Sequence, residues 1–363
     1  MGEPAAIAGR LRSMDATKVG RAELQVWLAA GALAVILAAV TAYEHFALGW
    51  HFAREVAPEQ SAWHWLRVAI TGGLSVLAIV AVARAAPAGK RGEPVTRGGY
   101  ALGGIVLAAS VLFTALLIAS PRDYRNVGAE DGFIEWVAAA ALLLGSGFCA
   151  LWARRLLASP RPRNWLRLLA AAGFAVLFFV MAMEEISWGQ RLIGFATPEG
   201  IAAQNWQGEF NLHNLQTDVA EFALYTGTGL FLVILPLVRE SLSHWRLLAP
   251  FAPLMPDRSV ALVSAPMLAF DYARWNLLPI QAVLFGGLAA CVVFAWSALR
   301  AGRGREAAAF AAVSAFVVAS QTIHLIVGHT MIEIFDPSEY RETILAVGIA
   351  WYGWRQWRAT FVR

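Results

Sequence analysis

Apolar residues in this chain gather into long runs separated by short polar segments. A bilayer core takes about 20 apolar residues per helix, and runs of that kind recur near 24–43, 65–83, 100–120, 133–153, 165–186, 218–238, 247–270, 277–299, 307–328 and 341–357. The pattern predicts an all-α fold, a polytopic membrane helix bundle of about ten transmembrane helices. The seventh run differs from the rest. It carries Pro250, Pro253, Pro256 and Pro266 with Asp257-Arg258 between them, which predicts a Pro-broken or re-entrant segment. No internal repeat and no long linker divides the chain, so the expected organisation is a basic cytoplasmic tail over 1–23 and a single integral membrane domain over 24–363. Arg10, Arg12, Lys18 and Arg21 precede an apolar run without an A-x-A cleavage site, the mark of a retained tail and not of a signal peptide.

Composition supports the same class. Of the 363 residues 58% are apolar and only 15% charged, with mean hydropathy +0.56, which leaves no room for a large soluble domain beside the spans. Cys149 and Cys291 both fall inside apolar runs, so neither a disulfide framework nor a thiolate metal site is expected. Most of the 29 Lys and Arg residues lie in loops that share a side with the N-terminus, including Arg154, Arg155, Arg161, Arg163, Arg300, Arg303 and Arg305. By the positive-inside rule both termini are expected in the cytoplasm. Most of the 25 acids, and every histidine except His244, fall at the opposite side. Acids contribute little to orientation, so their gathering asks for another reason.

Helix chemistry accounts for some of them. Asp336-Pro337-Ser338-Glu339 reads as a helix start with a Glu three residues after the cap. Asp218 and Glu221 repeat that spacing, Thr197-Pro198 reads as a cap, and Glu130 and Asp131 suit the positive end of a helix dipole. Glu44, His45, His51 and His64 are expected to be solvated. A smaller set remains. Glu135 falls one turn inside the fourth run; Glu184 and Glu185 close the fifth, in MAMEEISWGQR, with Arg191 seven residues on. His213 lies in FNLHNLQ, and His324 ends an apolar run one turn after Gln321. His329 and Glu333 stand four apart, the spacing of two ligands on one helical face. Asp271 and Arg274, in FDYARWN, complete the set.

Charged groups at membrane depth face a bundle interior or a wet cavity and are functional candidates by default. The expectation is therefore one pocket at the extracytoplasmic end. Glu135, Glu185, His213, His324, His329 and Glu333 are its candidate metal ligands, and Glu185, Glu184, His213 and Arg191 its candidate catalytic groups. Carboxylate and imidazole donors without a thiolate suit Zn, Mn or Fe without choosing among them. Neighbouring helix residues point about 100° apart, so the two glutamates divide the work. Glu185, beside the bare Gly189, is the expected ligand or general base. Glu184 is the expected partner of Arg191, on a helix that continues to Gly194 because carboxylates at a bare C-terminal end oppose the dipole.

The stretches EDGFIEW (130–136), EEISWGQR (184–191) and NLHN (211–214) resemble the motifs of a family of bacterial multi-pass membrane proteins. The resemblance covers the central part of the chain and implies a bacterial inner membrane, a topology and a candidate site, but no reaction. A looser similarity is to the CAAX-type glutamate intramembrane proteases, with motifs E-E-x-x-x-R, F-x-x-x-H and H-x-x-x-N. It implies Glu184 or Glu185 as base, with His213 and His329 as partners. Here the arginine stands two residues too far, Phe210 precedes His213 by three positions, and Glu333 occupies the asparagine position.

Three function classes follow. The first is a membrane-embedded hydrolase or transferase that acts on a lipid, lipid-linked or membrane-protein substrate. The second is a transporter or proton-coupled carrier, for which the Pro-rich seventh run speaks. The third is a non-catalytic assembly or binding protein. Ionisable groups gathered at one face favour a one-sided pocket over a conduit. No P-loop, G-x-S-x-G, H-E-x-x-H or C-x-x-C is present, so nucleotide hydrolysis, elbow-type serine hydrolysis and zincin chemistry have no motif to rest on. Nucleic acid is not an expected partner, because the basic residues form short loops and not a basic face with interleaved aromatics. The lipid bilayer is the expected partner, and the oligomeric state is left open.

Overall fold

The structure, a computed structural model, describes residues 3–50, 61–87, 92–129, 132–159, 164–205, 208–212, 215, 217–271, 277–327 and 337–361, with the backbone alone at 3–19, 191, 217 and 218. The described residues are helical and hold no strand. In chain order the helices are α1 (Glu3–Leu48), α2 (Ala62–Arg84), α3 (Arg97–Ala119), α4 (Pro121–Val127), α5 (Phe133–Ala158), α6 (Trp165–Glu185), α7 (Gln190–Ile193), α8 (Glu199–Ala202), α9 (Thr217–Gly229), α10 (Leu235–Leu242), α11 (Arg258–Ser264), α12 (Leu278–Arg300), α13 (Gly304–Val327) and α14 (Ser338–Ala359). A π-helical turn over Leu230–Ile234 joins α9 to α10 just ahead of Pro236, whose missing N–H removes a rung of the helix ladder. α1 continues through position 23, so no break in the backbone separates a tail from the first span.

Eight helical segments among the described residues are long and apolar enough to cross a membrane. They account for eight of the ten predicted runs. Of the other two, α14 carries Glu339, Arg341 and Glu342 near one end and Arg355 and Arg358 near the other, which dilutes its apolar character.

The seventh run departs most from a simple span. Consecutive turns over 243–254 contain Pro250 and Pro253, and Pro256 precedes the cap of α11. After α11 the chain tightens into a 3₁₀ helix, Ala265–Phe270, with Pro266 in its first turn. All of 255–271 is buried. Asp257 caps α11 by accepting the N–H groups of Ser259 (2.9 Å) and Val260 (3.2 Å), and its second oxygen accepts Arg355 Nε (2.8 Å). At the far end Asp271 Oδ1 lies 2.8 Å from Arg341 Nη2. Arg341 and Arg355 are fourteen residues apart on α14, a rise of about 21 Å. The segment therefore runs antiparallel to α14 with an ion pair at each end. It is shorter than the ~30 Å of a hydrocarbon core, and irregular backbone at such depth must be satisfied inside the protein. α13 supplies the donors: Gln321 Nε2 to Leu268 O and Ser320 Oγ to Ala269 O, each at 2.8 Å.

Small residues set a close helix contact. α14 packs against α5, and α5 also packs against α6. A Cβ on Gly353 would stand 2.8 Å from the carbonyl oxygen of Gly145, and one on Gly145 would stand 3.0 Å from Ile349. Backbone meets backbone there, as in small-residue interfaces of membrane helices. Gly353→Ala should lower the melting temperature in detergent, because overpacking against backbone costs about 1–3 kcal/mol and exceeds the ~0.5–1 kcal/mol helix gain. Gly147→Ala, whose Cβ would meet nothing within 4 Å, should be neutral or stabilising. Equal melting of the two variants would remove the close contact from the account of the bundle.

Hydrogen bonds and ion pairs sort the helix ends into two sets. One set joins Val95, Thr96, Glu240, Asp257, Arg258, Glu306 and Arg355. The other joins Glu44 to Arg67, Tyr124 to Tyr340, Ile134 to Thr343 and Asp271 to Arg341. The expectation that ionisable groups stop at one face is corrected here. At the first end Arg258 is buried between Glu306 and Glu240, its Nε donating to Glu240 at 2.9 Å, and Glu306 Oε2 also accepts Val95 N at 3.1 Å. The seventh run supplied that arginine.

Candidate functional site

α6 ends at Glu185, and the next residues turn sharply. Ser187, Trp188 and Gly189 all have positive φ (46°, 55° and 74°), and a left-handed backbone costs a non-glycine residue about 1–3 kcal/mol. Side-chain bonds hold it. Trp188 Nε1 donates to Glu184 Oε1 at 2.6 Å, Ser187 Oγ donates to Glu209, and Asn211 Nδ2 donates to Ser187 Oγ at 3.0 Å. The helix therefore does not continue past Arg191 as expected. It stops at Glu185 and resumes as α7, which ends on the left-handed Gly194.

The two glutamates point to different places. Glu184 accepts from Trp188 and, through Oε2, from Leu212 N at 2.6 Å, tying the helix end to the 208–212 segment. Glu185 turns to the first turns of α14. One carboxylate oxygen each of Glu185, Glu339 and Glu342 lie within 4.8 Å of one another, and all three residues are half-buried. Glu185 Oε1 is buried and makes no hydrogen bond among the described residues. Glu135 also acts on Glu185 electrostatically. At an effective dielectric of about 20, two charges 4.8 Å apart repel by ~3 kcal/mol. Three ionised carboxylates so placed require a cation or shared protons.

Around them stand further polar groups. Tyr225 OH donates to Glu342 Oε1. The Arg341 guanidinium lies 3.8 Å from the Tyr225 ring centroid and pairs with Asp271. A cation over an aromatic face and beside a carboxylate is held twice, so α14 presents Glu339 and Glu342 from a fixed start.

The other described sequence candidates are not part of that group of three. Glu135 sits in the first turn of α5 and not a turn inside, because the helix begins at Phe133; negative charge is favoured there by the dipole. His324 is buried, with Nδ1 2.7 Å from Ser320 O and its ring edge-on to Phe270; it is not part of the carboxylate group. Glu44 and His64, expected to be solvated, are buried: Glu44 accepts Arg67 Nη1 at 2.8 Å and Trp63 Nε1 at 2.9 Å. Thr197 accepts Gln190 Nε2 at 2.7 Å, while Pro198 stands at the N-cap of α8. His51, Glu130, Asp131, His213, Arg274, His329, Glu333 and Asp336, and the Arg191 side chain with its expected bond to Glu184, lie outside the described residues.

Glu342, Tyr225 and Arg341 escaped the sequence reading, and Glu339 was assigned to a cap. Glu339 and Glu342 are three apart, on one face of a helix start, a spacing that capping alone does not need. Comparison of the chain with protein-family models, with curated proteins and with solved structures found no match, so the family resemblances rest on their motifs.

Proposed function

We propose that this multi-pass membrane protein is a membrane-embedded hydrolase or transferase, whose site at the Glu185 end binds a divalent cation and acts on a lipid, lipid-linked or membrane-protein substrate. The observation that carries this reading is the approach of Glu185, Glu339 and Glu342 to within 4.8 Å, with a buried Glu185 oxygen that makes no described hydrogen bond. The opposite end of the bundle gives the contrast. There Arg258 stands between its acids and neutralises them, which is a structural solution. At the Glu185 end the carboxylates of Glu185, Glu339 and Glu342 instead approach one another.

Oxygen donors suit Mg, Ca or Mn, so of Zn, Mn and Fe the trio by itself fits Mn. Nitrogen from His213 or His329 would move the preference toward Zn or Fe. Such a cation supplies polarisation of a carbonyl or phosphoryl oxygen and an activated water. The excess of Lys and Arg on the other side supports an extracytoplasmic site with both termini in the cytoplasm, and the motif resemblance supports a bacterial inner membrane. Metal analysis of protein purified without added metal should find about one divalent ion per chain, and chelation should lower the melting temperature. A metal-free protein that neither Mn²⁺, Zn²⁺ nor Fe²⁺ stabilises would sink the proposal.

A proton-coupled carrier is the second reading. The buried, irregular α11 segment reaches the site through the Asp271–Arg341 pair, and broken helices at depth are what carriers use. In that case the carboxylates share protons, and the metal analysis comes back empty.

A further inference from the structure

We infer that the 187–212 loop is a lipid-facing element, seated among the hydrocarbon chains of the leaflet on the Glu185 side. It is built inside out for a water-exposed loop. Ser187, Gln190, Asn205, Glu209 and Asn211 bond to one another or to loop backbone: Gln190 Nε2 reaches Thr197 Oγ1 and Phe195 O, Gln190 Oε1 accepts Phe210 N at 2.7 Å, and Asn205 Nδ2 donates to Asn211 Oδ1 at 2.8 Å. Three large apolar side chains face outward instead. Leu192 is 70% exposed, Ile193 75% and Leu212 62%. A hollow of about 300 Å³ beside Leu212 is lined by Trp188, Ile201, Phe210, Asn211 and Leu212, and the one amide in it is turned to Ser187 Oγ.

Three further facts select lipid as the occupant. The loop follows directly on α6, a helix long and apolar enough to span, so its first residues emerge at the membrane boundary. Its backbone is turned in on itself, with Gly194, Ala203 and Gly208 N–H groups all bonded within the loop, as burial in hydrocarbon demands. The polar crest, Glu199 and Gln204, falls between the two apolar ends and is exposed, where headgroups and water would meet it. Amphipathic segments of this kind lie in the interface plane with their apolar side among acyl chains. The inference rests on the membrane reading of α6 and not on the cation.

Nitroxide spin labels test it. They are placed singly at Ile193→Cys, Leu212→Cys and Gln204→Cys in a Cys149→Ala/Cys291→Ala background, with the full chain reconstituted in phosphatidylcholine vesicles. Labels at 193 and 212 should collide with oxygen in preference to a water-soluble nickel chelate, and the label at 204 should show the reverse. Preference for the nickel chelate at both 193 and 212 overturns the inference, as does equal behaviour at all three positions. All three sites are exposed, so the labels are not expected to disturb packing, and an unchanged melting temperature checks each variant. Metal content plays no part in the readout, so failure here leaves the carboxylate site standing, and failure there leaves the loop.

Discussion

Arg258→Leu should be the most damaging single substitution in the bundle. The guanidinium is buried between Glu240 and Glu306, and its central carbon lies over the Phe294 ring, 4.8 Å from the centroid. Leucine fills part of the volume but leaves two carboxylates, Glu306 fully buried and Glu240 largely so, without the guanidinium between them. Breaking a buried ion pair from one side costs about 3–5 kcal/mol, whereas replacing the whole group with neutral residues of similar size is often harmless. Folded yield after detergent extraction should therefore collapse for Arg258→Leu and recover for the triple variant Arg258→Leu/Glu240→Gln/Glu306→Gln. Arg239→Ala is the control. Its partner Glu93 is exposed and the pair is 3.3 Å apart, so the loss should be within ~0–1 kcal/mol. Normal yield and melting of Arg258→Leu would mean that the network does not hold the two acids in their charged state.

That arginine marks where the sequence was legible and where it was not. Eight runs announced themselves by length and apolarity alone, because a helix in lipid has no polar face to disguise it. The 247–270 run was legible as broken, since each of its prolines costs a backbone bond. Its solution was not, because burial of 255–271 depends on partners 51 to 98 residues away: Asp257 finds Arg355, and Ser320 and Gln321 on α13 close the carbonyls of Ala269 and Leu268. The site divides in the same manner. Glu185 stood out because a carboxylate closing an apolar run is costly. Glu339 and Glu342 did not, because first-turn acids have a local use at the helix dipole, and only the approach of α6 to α14 gives them a second one. In EEISWGQR, Ser187, Trp188 and Gln190 are occupied in folding the loop, roles that a linear motif does not separate from chemistry.

The clearest separation expected is between the two adjacent glutamates. Glu185→Gln removes one of three charges that lie within 4.8 Å, and a cation held by carboxylates loses both a ligand and part of its attraction. Changes at groups that merely support a metal's ligands cost about 10–100-fold in affinity, so loss of a ligand should weaken Mn²⁺ binding by at least ~100-fold. Without metal the sign reverses. Each of the two repulsions that Glu185 makes is of order 3 kcal/mol before screening, so in chelator Glu185→Gln should melt above the parent. Glu339→Gln and Glu342→Gln should share both signs. Glu184→Gln should do the opposite on each count. Its carboxylate accepts Trp188 Nε1 and Leu212 N, each at 2.6 Å, and hydrogen bonds to a charged acceptor are worth about 1.5–3 kcal/mol. The neutral amide weakens them and loosens the loop, so melting should fall in metal and in chelator alike while metal content per folded chain stays at the parent's level. Calorimetric titration with Mn²⁺ and melting with and without chelator distinguish the two patterns. If Glu184→Gln loses the cation and Glu185→Gln keeps it, the roles are reversed; if all four variants bind as the parent does, the three carboxylates are not the site.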